Sequence, residues 1–158
     1  MTISASAECY DVDLTDNTQA KNPTWLELTA FLARDESEAH QYILGEYDCS
    51  QFSQAVHDNA EAAGIRAAVV HTAFAGDEVG HALNAFLTTD YGMVYVDCTQ
   101  SPDKIARVEK GKTLIAIEPT YITRSQIRSN VFWESLLWAV GWYYYVGTTP
   151  VSNIEIFW

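Results

Sequence analysis

"GEYDCSQFSQAVHDNAEAAGIRA", Gly45 to Ala67, sets a cysteine directly after an aspartate at the opening of a helical pattern. Asp48 has the chemistry of an N-cap, and Gln51, three residues on, completes a capping box. Gly64 supplies a left-handed stop. Phe52, Ala55, Val56, Ala60 and Ala63 recur at spacings of three and four, which predicts one buried stripe of mostly small side chains. Such a stripe lets a helix lie close to a sheet. Cys49 is then the first helical residue, where the positive end of the backbone dipoles and unpaired N–H groups favour thiolate over thiol. The charge of Asp48 works against this.

Beyond Gly64 the periodicity changes. "IRAAVVHT", "HALNAFLTT" and "MVYVDCT" read as strands, with "TDYG" as the turn between the last two. His81 opens the second strand and Asp97 nearly closes the third, and the midpoint of the two falls at Thr89, inside the turn. A hairpin loop with an odd number of residues centred there makes His81 and Asp97 cross-strand partners on one face. Thiol, imidazole and carboxylate are what covalent acyl transfer needs: a nucleophile, a base that takes its proton and a group that fixes the imidazole tautomer.

These three segments, "YDCSQFSQAVHDNAEAAGIRA", "GHALNAFLTTD" and "GMVYVDCT", resemble the core motifs of the transglutaminase-like superfamily, a branch of the papain-like cysteine enzymes. The resemblance covers roughly residues 23 to 100. It implies an α+β fold with N-terminal helices packed on an antiparallel sheet. It also implies that Cys49 is the nucleophile, His81 the general base and acid, and Asp97 the orienting carboxylate. An aromatic or amide side chain upstream of the cysteine often helps to hold the oxyanion in such enzymes, and Gln41, Tyr42 and Tyr47 are the candidates here. The backbone N–H of Cys49 is a donor whatever the side chains do. The family includes transglutaminases, peptidases and deglycosylating amidases, so the expected substrate is a peptide or protein amide.

The remainder of the chain reads as one unit. Its 158 residues, 48% hydrophobic, suffice for a single domain with a sizeable core. Residues 1–22 are polar and irregular and read as an N-terminal arm, leaving 23–158 as the domain. "NPTWLELTAFLA" reads as a first helix opened by Pro23 and running to about Ala33. Residues 101–112 read as a short helix or loop, "TLIAIEPTYIT" as a strand, "RSQIRSNVFWESLLWAV" as a helix and "WYYYVGTTPVSNIEIFW" as terminal strands. Alternation of Ile154, Ile156 and Trp158 with Asn153, Glu155 and Phe157 predicts that the C-terminus completes the sheet.

Charge and cysteine usage narrow the partners. A formal net charge of -12 disfavours nucleic acid and anionic membrane surfaces. The start of the chain has neither a basic region nor an apolar run, and the apolar stretch Val131–Gly147 carries Glu134, so neither a signal peptide nor a membrane span is expected. Cys9, Cys49 and Cys98 form no CxxC pair and are odd in number, which suits reduced thiols in the cytoplasm. Together with His40, His57, His71 and His81 they lack the paired spacing of a zinc site, and no EF-hand loop is present. No metal or cofactor is therefore expected.

Outside the three motifs the readings are structural. Cys98 is a buried packing residue, His57 falls on the outer face of its helix and His71 has no evident partner. Trp133, Trp138, Trp142, Tyr143 to Tyr145 and Trp158 read as core. Two other functions share the motif order: a binding module that keeps the fold with a dormant triad, and an arylamine-acetylating acyltransferase. The second of these should be longer, with a more Gly- and Arg-rich approach to its cysteine.

Overall fold

A computed structural model describes the backbone of residues 2–3, 12–76, 79–139 and 144–158 and the side chains of 12–76, 79–139 and 149–158. Two short strands, β1 (Thr2–Ile3) and β2 (Val12–Asp13), pair antiparallel ahead of helix α1 (Trp25–Leu32). Thr24 caps α1 and Glu27 returns the bond to the Thr24 N–H, so Pro23 lies one place before the cap rather than in the first turn. A 3-10 turn at Ser37–Ala39 leads to α2 (Cys49–Ala62). Asp48 and Gln51 form the expected capping box, and Gly64 adopts φ 79° just beyond the helix.

Six strands follow: β3 (Ala68–Phe74), β4 (His81–Thr88), β5 (Gly92–Asp97), β6 (Lys104–Arg107), β7 (Thr113–Ile117) and β8 (Tyr144–Phe157). All pair antiparallel in chain order, and β8 returns to β3, so the sheet closes into a barrel. The fold is α+β. Closure depends on the length of β8, whose 14 residues serve two partners in turn. Tyr144 to Pro150 pair with β7, and Val151 to Phe157 pair with β3. Pro150, which has no N–H to donate, stands at the changeover, and its carbonyl accepts from Ala75 N at 2.9 Å.

Alternation along the strands separates two apolar layers. Ala68, Val70, Leu83, Ala85, Ala106, Leu114, Ala116 and Val151 pack together inside the barrel. Four of these are alanines, which suits the narrow lumen of a six-stranded barrel. The opposite face presents Phe86, Val94, Val96, Ile105, Ile115 and Ile117 to Leu28 and Phe31 of α1, and to Phe52, Val56 and Ala60 of α2. Trp133 joins this outer core from the C-terminal helices, 2% exposed.

Several elements depart from the sequence expectation. Residues 104–107 are a buried strand, not a helix or loop. Its two basic residues conceal the pattern, yet each has partners: Lys104 Nζ donates to Gln100 Oε1 and the Pro102 carbonyl, and Arg107 donates from its two terminal nitrogens to Glu134 and the Thr113 carbonyl. The helix expected over 124–140 is two, α3 (Arg124–Ile127) and α4 (Asn130–Leu136), because Thr123 and Ser129 each begin a new cap. The buried face of α2 includes Ser53, His57 and Glu61, while Ala63 is exposed and Ala55 only half-buried. His57 therefore lies inward, fully buried, with Nδ1 2.9 Å from Asp58 Oδ1.

What covers that side of α2 is the segment read as a polar arm. Val12 and Leu14 are buried against Val69, Asn17 bonds to Glu61, and Lys21 N donates to the Gly64 carbonyl. Trp138 is 89% exposed, contrary to the expected core position, whereas Trp158 is half-buried with the Arg66 guanidinium over its ring. Trp142 and Tyr143 lie outside the described residues, as does Cys9. No described helix is long and apolar enough to cross a membrane.

Because β8 closes the barrel, deletion of Val151–Trp158 removes its whole pairing with β3 and opens that seam. The segment carries buried Val151 and half-buried Ile154, Ile156, Phe157 and Trp158, each contributing up to about 1.5–3 kcal/mol against a total stability of about 5–15 kcal/mol. The truncated chain is expected to show no cooperative melt by circular dichroism. A melt like that of the full chain would refute the closure argument.

Candidate active site

The first turn of α2 meets the ends of β4 and β5. Asn84, fully buried on β4, donates from Nδ2 to the Ser53 carbonyl at 2.8 Å and to the Ala68 carbonyl at 3.3 Å. Its Oδ1 accepts from Cys98 Sγ at 3.2 Å. Ser53 Oγ in turn donates to the Cys49 carbonyl at 2.8 Å. This chain of bonds clamps the first turn of α2 to the sheet and sets the position of Cys49.

His81 Nε2 lies 2.8 Å from Asp97 Oδ2. The register explains how. Thr88 pairs with Gly92 and Asn84 with Val96, so the hairpin centres on Asp90, one residue beyond the expected Thr89. The loop is Thr89, Asp90 and Tyr91, an odd number, and the even separation of His81 and Asp97 survives the shift. They meet diagonally on one face rather than as direct partners: the backbone opposite His81 is Thr72 on β3, and opposite Asp97 it is Lys104 on β6. Thr72 Oγ1 donates to the His81 carbonyl at 3.0 Å.

Asp97 is itself held. Its Oδ1 accepts from Thr99 N at 3.1 Å and Thr99 Oγ1 at 2.7 Å, leaving Oδ2 for the imidazole. The carboxylate is 2% exposed. With Nε2 committed to Asp97, the other ring nitrogen, Nδ1, is left for Cys49, whose side chain is near enough to act on the charge of the ring. Burial alone would depress the imidazolium, but the Asp97 charge and hydrogen bond, with a further contribution from Cys49, raise the His81 pKa to about 10. The ring is thus charged at neutral pH and can pair with a thiolate.

Upstream, Gly45 at φ 81° turns the segment 40–48 back on itself, and Ile43 bridges Tyr47. Tyr47 stacks on His40 and meets Phe52 edge-on, so it is a packing residue; Gln41 is exposed. Tyr42, stacked at 6.0 Å on Phe52, has its phenol beside Cys49. Burial and the neighbouring Cys49 and Asp48 charges push that phenol above its ordinary value, so it stays a donor. Sequence reasoning left Tyr42 as one of three candidates and did not find Thr99. A threonine two residues after a strand-end aspartate is the local signal for the latter.

Tyr42 and His81 share the wall of an open cleft of about 520 Å³, with Phe74, Gly80, Thr99, Gln100 and Leu114. Phe74 and Leu114 belong to the barrel's inner layer, so the cleft reaches into the barrel mouth. Cys98, in contrast, is fully buried, and burial together with Asp103 and Asp97 pushes its thiol well up. His71 is also buried away from this site, packed edge-on against Phe157, and burial lowers its pKa.

Comparison of the chain with protein-family models, with curated proteins and with solved structures finds no match.

The two described thiols should therefore differ in reactivity. Iodoacetamide at mildly acidic pH is expected to modify Cys49 at least tenfold faster than Cys98, read by peptide mass spectrometry. His81→Ala should slow the Cys49 reaction sharply, and Asp97→Asn less, since the imidazole survives without its carboxylate. Equal rates at the two cysteines, unaltered by His81→Ala, would show that the three groups do not work together.

Proposed function

We propose that this chain is a transglutaminase-like cysteine hydrolase or acyltransferase that attacks an amide or peptide carbonyl and carries the acyl group as a thioester on Cys49. One observation carries the reading: the His81 ring bonds the Asp97 carboxylate and has Cys49 as its other charged neighbour, beside an open cleft. This arrangement supports the roles of nucleophile, acid–base and orienting group for the three.

In this mechanism the Cys49 thiolate forms a C–S bond to the carbonyl carbon while the carbonyl π pair moves onto oxygen. The Cys49 N–H at the helix start and the Tyr42 hydroxyl are the donors for that oxyanion. Collapse breaks the C–N bond, and the leaving amine takes the proton from His81 Nδ1. Water or a second amine then returns a proton to Nδ1 as it attacks the thioester, and the C–S bond breaks. Asp97 stays ionised throughout and holds the ring by Nε2. A peptide or protein amide fits the mixed polar and apolar lining of the cleft. The thiolate chemistry suits the reducing cytoplasm.

One feature favours a second reading, a dormant binding module. The Tyr42 phenol stands beside Cys49, whose N–H an oxyanion would use. Tyr42 is 46% exposed, and the active reading requires its ring to yield as the substrate enters.

Incubation with a panel of peptide amides, glutamine peptides and their amine acceptors, followed by acid quench and intact-mass measurement, separates the two. The active reading predicts an acyl adduct on Cys49 and its absence in Cys49→Ala. Tyr42→Phe should lower turnover by about 10²-fold, the usual scale for one oxyanion donor. A panel that leaves no adduct and no product, together with unhindered alkylation of Cys49 in Tyr42→Phe, would favour the binding module.

A further inference from the structure

At the β5–β6 connection, three carboxylates from distant parts of the chain converge. Asp35 follows α1, Glu38 lies in the 3-10 turn, and Asp103 immediately precedes β6. One oxygen from each lies within 4.8 Å of the others. Asp103 is only 3% exposed, yet neither of its carboxylate oxygens has a hydrogen-bond partner among the described residues, and Glu38 Oε2 is buried in the same condition. Asp35 is held in place by Asn59 Nδ2 at 2.8 Å and by Ser37 N at 3.1 Å. Lys104, the basic residue next to Asp103, directs its Nζ to Gln100 and the Pro102 carbonyl instead.

A buried carboxylate with no donor is costly, and three together more so, unless positive charge is supplied. From these contacts we infer that Asp35, Glu38 and Asp103 bind a hard divalent cation, with calcium the best fit. The donor set is all oxygen, without imidazole or thiolate, which selects calcium or magnesium over zinc or copper. Calcium–oxygen distances of about 2.3–2.6 Å allow two ligands on opposite sides of the ion to stand about as far apart as these oxygens do. An adjoining cleft of about 480 Å³, lined by Glu38, Asp103, Thr29 and Glu118 among others, gives a route from solvent and room for the waters that complete the coordination sphere. Glu38, Asp35 and Asp97 surround Asp103 with negative charge that Lys104 only partly offsets, so the site's field favours an added cation. A bound ion would tie the α1–α2 connection to the β5–β6 connection, whose other end carries Asp97 and Thr99.

The test uses the full chain, stripped with chelator and returned to fixed ionic strength at pH 7.5. Calcium chloride and magnesium chloride are titrated separately by calorimetry and by thermal melting. A single-site isotherm and a rise in Tm of several degrees at saturating calcium, both lost in Asp103→Asn and in Glu38→Gln, are expected. Asp103→Asn removes like-charge repulsion at nearly constant shape and so keeps the fold, and the half-buried Glu38 provides an independent variant. Wild-type protein whose Tm ignores both cations, while Asp103→Asn raises it, would overturn the proposal and leave Asp103 as a protonated buried acid. An equal response in wild type and both variants would overturn it too, since the ion would then be on the acidic surface at large.

Discussion

The clamp between the first turn of α2 and β4 is the contact on which the rest of the site depends. A helix N-terminus can present a thiol to an imidazole only if its axis is fixed to the sheet within a few tenths of an ångström, and loose apolar packing does not give that precision. Asn84 does, because its amide spans two backbone carbonyls, one on α2 and one on β3, from a fully buried position. Replacing it with an apolar residue leaves the Ser53 carbonyl without that donor in the interior, at a cost of about 1–3 kcal/mol. The same residue takes up the Cys98 thiol, so the second cysteine is spent on structure.

Charge then follows from position. Asp48 sits beside Cys49 and could be thought to oppose a thiolate, but its oxygens accept from Ser50 N and Gly45 N and serve the cap. Asp97 is the carboxylate that acts on the imidazole, and Thr99 keeps it in line. Because the folded-state pKa of His81 lies above its unfolded value, the protonated ring contributes stability that is fully present below about pH 6.5. That contribution is lost as pH rises toward about 10. The site and the fold are therefore coupled through one proton.

Much of this was legible in the residues. Asp48, Gln51 and Gly64 bound α2 because capping is local chemistry, readable without tertiary context. Parity made the His81–Asp97 pairing robust: the hairpin centre moved by one residue, yet an even separation still puts both side chains on one face. Long-range closure was not readable. The 14-residue β8 has two partners, and nothing in its alternation distinguishes the edge of an open sheet from the seam of a barrel. Strand β6 was hidden by Lys104 and Arg107, whose partners come from elsewhere in the fold. His57 was misplaced for a related reason: the segment 12–22 adds a layer over α2 that the helix's own pattern does not announce. The Asp35, Glu38 and Asp103 cluster escaped because a search for contiguous loops and Cys/His spacing cannot see ligands joined only by tertiary structure.

The central claim is that Asp97 and Cys49 together hold His81 as an imidazolium. The most direct measurement is the ring-nitrogen chemical shifts of His81, followed by long-range ¹H–¹⁵N NMR from pH 5 to 11 in the native chain and in Asp97→Asn. The account predicts a ring that stays protonated until about pH 10 and that titrates markedly lower once the carboxylate is removed. A His81 that titrates near the ordinary value of about 6.5, and does so equally in the variant, would contradict it.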